Sequence, residues 1–418
     1  MTIPGTPRRV VVISPVPALE SPTHAGGLLL TRIVRAHMES GAQVMVLSPS
    51  TASTIKDLSR TTTIAPTRLL GRPRDHRGLH RLALTIAHRA LPVLPERAPA
   101  EAPWYFLADL LADRSVRRLL LAADLVDLQW EEYGRLAPLI RNLAPNAATT
   151  CMFHDVNDQK LSRAIEAADS PDSKREALRA RARNRRLLLR ATGSIDRGFV
   201  LSEKDRRWLV DCAPELTSAT VNPPLADDST PLFDVSTHQP VVGFIAALRR
   251  QENRDAAQRL ATRIWPTVRA SRPDAQLRII GGGLEEGSRA QLSGLPGVEL
   301  TGFVDDLDSA YSELRATASP ISHGAGVKFK VVESIVRGIP TISTTVGAEG
   351  IDPGLFSMIS DDDQRLAQGI LSALSDQDTA SRARSSARHA RTSYGADDFA
   401  REYLSVVDDA IAGRQRLV

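Results

Sequence analysis

The chain has 418 residues, 42% of them hydrophobic, which is enough for two packed domains rather than one. Its 53 basic and 49 acidic residues leave a formal net charge of only +4, so charge does not call for a nucleic-acid partner, and none is expected. Cys151 and Cys212 are the two cysteines. They argue against a disulfide framework, lack zinc-site spacing, and flank apolar segments as buried free thiols of a reducing compartment would.

Arg8-Arg9 is followed by an apolar run, Val10 to Ile13, too short for a signal peptide and suited to a first buried strand. No apolar run is long enough to span a bilayer, so a soluble, cytoplasmic protein is expected. A loop from Pro15 to Ala25 ends at Gly26-Gly27. Helical spacing then runs from Leu28 to Ser40 and stops at Gly41, and Val44 to Leu47 forms the next strand. This is a βαβ unit. Gly26 and Gly27 could admit a ligand at the sheet edge, although alone they favour a tight turn. Between Thr61 and Pro103 lie Arg68, Arg72, Arg74, Arg77, Arg81 and Arg89 with His76, His80 and His88. The amphipathic, basic portion from Leu79 to Leu91 reads as a solvated helix, or as one lying on an anionic membrane surface.

Strands are expected at Leu125 to Trp130 and Ala148 to Phe153. His154-Asp155 directly follows the second, where α/β sheets collect functional groups. The pair could do acid/base or hydrogen-bonding work, and Asp155 could cap the next helix, two readings that can hold together. Ser173 to Arg190 is helical and carries Arg179, Arg181, Arg183, Arg185, Arg186 and Arg190. It is either a face for a membrane or acidic partner, or a solvated helix with one apolar stripe. A strand at Gly198 to Ser202, a helix from Glu203 and a strand at Ala219 to Leu225, broken by Pro223 and Pro224, close the first half. Residues 223–240 have no periodicity and read as a linker.

The βαβ pattern restarts at Val241 to Ile245. Arg249 and Arg250 lie at the following strand-to-helix junction. Leu277 to Ile280 ends in Gly281-Gly282-Gly283, which lacks dinucleotide-fingerprint spacing and reads as a turn. Asp306-Leu307-Asp308 resembles a metal motif, but its place before a helical run favours capping carboxylates, and no metal is expected. The most informative stretch runs from Ser319 to Pro340 as strand, Gly-rich loop and helix. Gly324 and Gly326 let the backbone approach a ligand. The helix is expected to start near Val327, its free N–H groups facing an anion such as a diphosphate. Lys328 and Lys330 add positive charge, and Glu333, three residues after Lys330, could accept hydrogen bonds from a ribose diol. The alternative is an ordinary tight turn with a surface Lys–Glu pair. Helical segments are expected to finish the chain from about Asp362.

Gly302-Phe303-Val304-Asp305-Asp306, Pro320, Gly324-Ala325-Gly326-Val327-Lys328, Lys330, Glu333, Gly338-Ile339-Pro340 and Thr344 to Gly350 together resemble glycosyltransferase family four. The likeness is close over about residues 241–352 and looser upstream. There Gly26-Gly27, His154 to Asn157 and Val200 to Glu203 fit its landmarks. The resemblance implies a GT-B fold: two doubly wound Rossmann-like domains facing a central cleft, with an acceptor-side domain at 1–222, a linker at 223–240, a nucleotide-sugar-binding domain at 241–395 and a helix at 396–418 crossing back. It implies sugar transfer from a nucleotide-diphosphate sugar to a glycan, lipid-linked or small-molecule acceptor, with retention. The nucleotide sugar is a co-substrate and no resident cofactor is expected. Donor contacts are implied for Gly324, Gly326, Val327, Lys328, Lys330, Glu333, Glu349, Arg249 and Arg250, an acceptor-side loop at Gly26 and Gly27, and a catalytic position at His154. One departure is Ala325, where many relatives carry a Glu near the donor sugar, so a nucleotide- or glycan-binding scaffold without turnover is the rival reading. The basic helices leave room for peripheral contact with the inner face of a membrane.

Overall fold

The computed structural model describes residues 7–71 and 104–416, so the basic segment at 76–91 lies outside the described residues. The chain divides into two compact units. One comprises Met1–Val221 with Ala400–Val418, the other Asn222–Phe399.

The first unit holds seven strands: β1 Arg9–Ile13, β2 Gln43–Pro49, β3 Thr67–Leu70, β4 Leu125–Gln129, β5 Ala148–Phe153, β6 Arg197–Val200 and β7 Ser218–Thr220. They lie in the order β3-β2-β1-β4-β5-β6-β7, and every ladder is parallel. A parallel sheet covered on both faces needs near-continuous apolar strands, and Val10 to Ile13 are all buried. Leu29, Leu30, Ile33 and Val34 of the helix Ala25–Glu39 are buried too. The order reverses between β1 and β4, the switch point at whose carboxyl ends ligands of such sheets bind.

The second unit repeats the design with β8 Val241–Ile245, β9 Gln276–Ile280, β10 Val298–Gly302, β11 Ala316–Ser319, β12 Thr341–Ser343 and β13 Met358–Ile359. Its order is β10-β9-β8-β11-β12-β13, again all parallel, with the switch between β8 and β11. A π-helical turn, Leu260–Ile264, joins the helices Gln251–Arg259 and Trp265–Ser271. Pro266 lacks an N–H and crowds the preceding turn, which accounts for the widening.

Residues 223–240 are not a loose tether. The N–H groups of Leu225 and Ala226 donate to the Tyr394 carbonyl at 2.9 and 3.0 Å, and Phe233 donates to the Arg337 carbonyl at 2.9 Å. Their backbone groups are satisfied within the second unit, so the segment packs there despite its lack of periodicity. The final helix, Ala396–Gln415, begins in the second unit and continues into the first. Cys151 and Cys212 are buried and unbridged. Among the described residues, no helix is long and apolar enough to cross a membrane.

Candidate active site

In the second unit the polar groups gather past the carboxyl ends of β8 and β11. Gly324 and Gly326 have φ of +119° and +72°, a backbone region that side chains disfavour, so the loop needs glycine. The following helix is Phe329–Val336, two residues later than the sequence suggests. Lys328 holds the N-cap position in extended backbone with no side-chain cap, leaving that helix end suited to an outside acceptor. Val327 is buried, so its side chain anchors the loop and only its backbone can face a ligand.

The Lys328 ammonium folds back onto the loop, donating to the carbonyls of Ala325 (3.2 Å) and Gly326 (2.7 Å). Lys330 donates instead to Oδ1 of Asn253 at 2.5 Å. Asn253 is fixed in turn by Nδ2 donating to the Ala247 carbonyl at 2.8 Å. Burial, with the positive charges of Lys328 and Arg250 nearby, pushes the Lys330 ammonium down to about 7. Three basic side chains, Lys328, Lys330 and Arg250, therefore lie close together at this corner. Arg250 pairs with Glu252 at 2.6 Å, and Arg249 is exposed. A Cβ on Gly281 would sit 1.8 Å from the Ala246 carbonyl oxygen, and one on Gly283 would sit 2.7 Å from the Arg249 N. The triple glycine is thus a turn packed against the β8 loop.

Glu333 is half-buried one turn into the helix. The Tyr311 hydroxyl reaches its Oε2 at 3.4 Å and the Lys330 carbonyl at 3.3 Å. Burial raises the Glu333 carboxyl above its usual range, opposed first by Arg337. Arg337 lies over the Tyr311 ring at 4.8 Å and pairs with Asp308 at 2.6 Å. Asp306 accepts the Ser309 N–H at 3.1 Å. One carboxylate of the Asp306–Asp308 pair therefore caps its helix and the other pairs with arginine. Glu349 sits half-buried on the loop after β12.

In the first unit a second set lies past β4 and β5. Trp130 has φ of +69°, the one positive value for a non-glycine among the described residues. Such backbone is strained and persists where packing enforces it. Its indole stacks on the His154 ring at 3.6 Å and 3°. A Cβ on Gly26 would lie 2.5 Å from Cζ2 of Trp130 and 3.4 Å from Nδ1 of His154, so glycine here makes room for the stack. Gly26 and Gly27 are not on a loop, as the sequence suggests, but in the first turn of the helix Ala25–Glu39, where Nδ1 of the N-cap residue His24 accepts the Gly27 N–H at 3.0 Å. His154 is 8% exposed, and its Nε2 lies 3.1 Å from Oε1 of Gln129. Burial, then His24, lowers it to about 3, so the ring is neutral and suited to hydrogen bonding.

Asp155 does not occupy the cap of the helix Asn157–Glu166; Val156 does. The Asn157 N–H is taken by Oε2 of Glu131 at 2.9 Å. That buried carboxylate, two residues past the end of β4, does the work expected of Asp155. The helix Pro171–Thr192 also departs from a simple basic face. Arg181 and Arg185 turn inward onto Asp158, at 3.0 and 2.7 Å, while Arg179, Arg183, Arg186 and Arg190 are exposed.

Sequence reasoning missed Gln129, Trp130, Asn253 and Tyr311. A usable signal existed for the first pair: Trp130 and His154 each directly follow one of two neighbouring apolar strands. Asn253 and Tyr311 carry no comparable signal, since each acts through a residue far along the chain.

Residues 239–376 match the model of a family described as glycosyl transferases group 1. No curated protein matches the sequence. Among solved structures, Anabaena HepE in complex with UDP and glucose is similar over 96% of this chain and all of its own, with TM-score 0.67 and 13% identity. Sucrose-phosphate synthase from Thermosynechococcus elongatus is similar over 97% of this chain and all of its own, with TM-score 0.67 and 13% identity. The α,α-trehalose 6-phosphate synthase from Burkholderia multivorans is similar over 98% of both chains, with TM-score 0.66 and 12% identity. These likenesses establish a two-domain, Rossmann-like GT-B fold.

Proposed function

We propose that this protein is a glycosyltransferase of the family-four type. It moves a sugar, with retention, from a nucleotide-diphosphate sugar to a glycan, lipid-linked or small-molecule acceptor. The observation that carries the reading is the anion-ready corner of the second unit. Two glycines of positive φ precede an uncapped helix end, Lys328 and Lys330 lie beside it, and Glu333 stands one turn on. In this reading the diphosphate lies against the loop and helix end, and Glu333 takes the ribose hydroxyls. The main chemical task is to stabilise the departing diphosphate, an oxyanion problem suited to oriented N–H groups and cations. Glu349 and the exposed Arg249 and Arg250 border the donor, and the first unit takes the acceptor at the helix start that carries Gly26 and Gly27.

The match of residues 239–376 to a glycosyl transferase model supports the reading, as do UDP-binding neighbours of like fold. Ala325 favours a binding scaffold without turnover, because it offers no carboxylate to the sugar. Incubation of the protein with a panel of nucleotide sugars and an acceptor extract separates the two. Nucleoside diphosphate released only when acceptor is present supports transfer, and the anomer of the product reads retention. Binding without release supports the scaffold.

A further inference from the structure

The hydrogen bonds behind His154 run in one direction. Asp127, on β4 and fully buried, receives the hydroxyl of Tyr403 at 2.7 Å, the hydroxyl of Thr150 at 2.7 Å and the Nε2 amide of Gln129 at 2.7 Å. The three neighbours can all donate, and an ionised carboxylate can only accept. This fixes the Gln129 amide: its nitrogen is committed to Asp127, so its oxygen faces His154. That oxygen is an acceptor, and the His154 Nε2 lies 3.1 Å from it. The ring nitrogen must then carry the hydrogen.

We propose that Gln129, oriented by Asp127, is a positioning residue that holds His154 in the Nε2–H tautomer and presents Nδ1 as an acceptor beside Gly26. Several features support this. The indole of Trp130 stacks flat on the imidazole and restricts its rotation, while Gly26 leaves the space next to Nδ1 clear of a side chain. His37 stands behind the same carboxylate, with its Nε2 3.3 Å from the Tyr403 hydroxyl and 4.0 Å from Asp127. Burial keeps His37 neutral, lowered to about 3, so it adds no competing cation. Burial also raises Asp127 to about 6 against the pull of its three donors, so at pH 8 the carboxylate is ionised and accepts from all of them. An arrangement that fixes which imidazole nitrogen carries the proton also fixes which partner the ring can take. Here Nδ1 would receive a hydroxyl hydrogen. That last role rests on the transferase reading, whereas the tautomer does not.

Long-range proton–nitrogen NMR on protein with nitrogen-15 histidine, at pH 8, reads the tautomer directly. The His154 signals are found by their loss in His154→Gln. The expected result is a pyrrole-type Nε2 and a pyridine-type Nδ1 in the wild-type protein. A pyrrole-type Nδ1 overturns the proposal whether or not the protein turns over sugar. Gln129→Met removes the acceptor and should bring in the Nδ1–H form. Gln129→Glu, sharing a proton with Asp127, should keep Nε2–H. An unchanged single tautomer in Gln129→Met overturns the role of Gln129. If Gln129→Met does not fold, the wild-type and Gln129→Glu spectra decide. Where turnover is found, Gln129→Met should lower kcat about tenfold or more with nucleoside-diphosphate affinity within about twofold, and Gln129→Glu should recover most of it. Equal losses of kcat in both variants, with the tautomer kept in one, would also overturn it. Absence of turnover in the wild-type protein fails the transferase reading alone.

Discussion

The ammonium of Lys330 donates to Oδ1 of Asn253 at 2.5 Å, joining the Gly-loop helix to the helix that follows β8. The contact is made by a lysine that burial and two neighbouring cations push down to about 7, against an ordinary value near 10.4. The direction has a consequence for stability. Between about pH 7 and 10 the unfolded chain binds more protons than the folded one, so this residue makes stability rise with pH in that window. Lys330→Met should therefore raise the melting temperature more at pH 6 than at pH 9. An equal effect at both would contradict the buried-cation account. A bound diphosphate favours the ammonium, so calorimetric titration of a nucleoside diphosphate at pH 8 should show proton uptake that disappears in Lys330→Met.

Glu333→Gln should weaken nucleoside-diphosphate binding by about 1–3 kcal/mol, the range for hydrogen bonds involving a charged group. Melting should change little, since Tyr311 can still donate to the amide oxygen from 3.4 Å. Calorimetry with a ribose and a 2′-deoxyribose nucleotide separates the role from general packing. The variant should discriminate less between the two sugars, and undiminished discrimination would count against a ribose contact.

Gly26→Ala places a methyl 2.5 Å from the Trp130 ring. Overpacking of this kind costs about 1–3 kcal/mol. Urea unfolding should show that loss, and the same change in a Trp130→Ala background should be close to neutral. A full loss in both backgrounds would mean that something other than the stack demands glycine in this first helical turn.

The exposed arginines of Pro171–Thr192, with Leu178 48% and Leu189 51% exposed, suit an anionic lipid surface. Each basic residue near such a surface contributes about 1 kcal/mol, screened by salt. Flotation with phosphatidylserine vesicles should show binding at low salt that is lost at high salt. It should fall in Arg179→Ala combined with Arg183→Ala and Arg186→Ala. No binding at low salt would leave an ordinary solvated face.

Much of the fold was legible because it is punctuated. Apolar strands alternate with helices that stop at Gly41, Gly338 and Pro340, and two βαβ series emerge from that alone. β3 and β13 were not, because short strands at sheet edges carry too few residues for a pattern. The Gly324–Gly326 loop could be read from residue type, since positive φ restricts what can stand there. Its helix start slipped by two residues, because Val327 is held by the core and Lys328 stays extended. Partnerships were the unreadable part. Glu131 caps a helix in place of Asp155, Asn253 receives Lys330, and Arg181 and Arg185 leave a solvated face for Asp158. Each depends on strand order, which brings distant residues together and which residue type alone does not reveal.

The measurement that bears most directly on the donor site is calorimetric titration with uridine, guanosine and adenosine diphosphates, each beside its parent nucleoside. The account predicts that one diphosphate binds and that its uncharged nucleoside binds at least about tenfold more weakly, with most of the difference lost in Lys328→Ala combined with Lys330→Met. Binding of a nucleoside as tightly as its diphosphate, or no binding by any of the three, would contradict it.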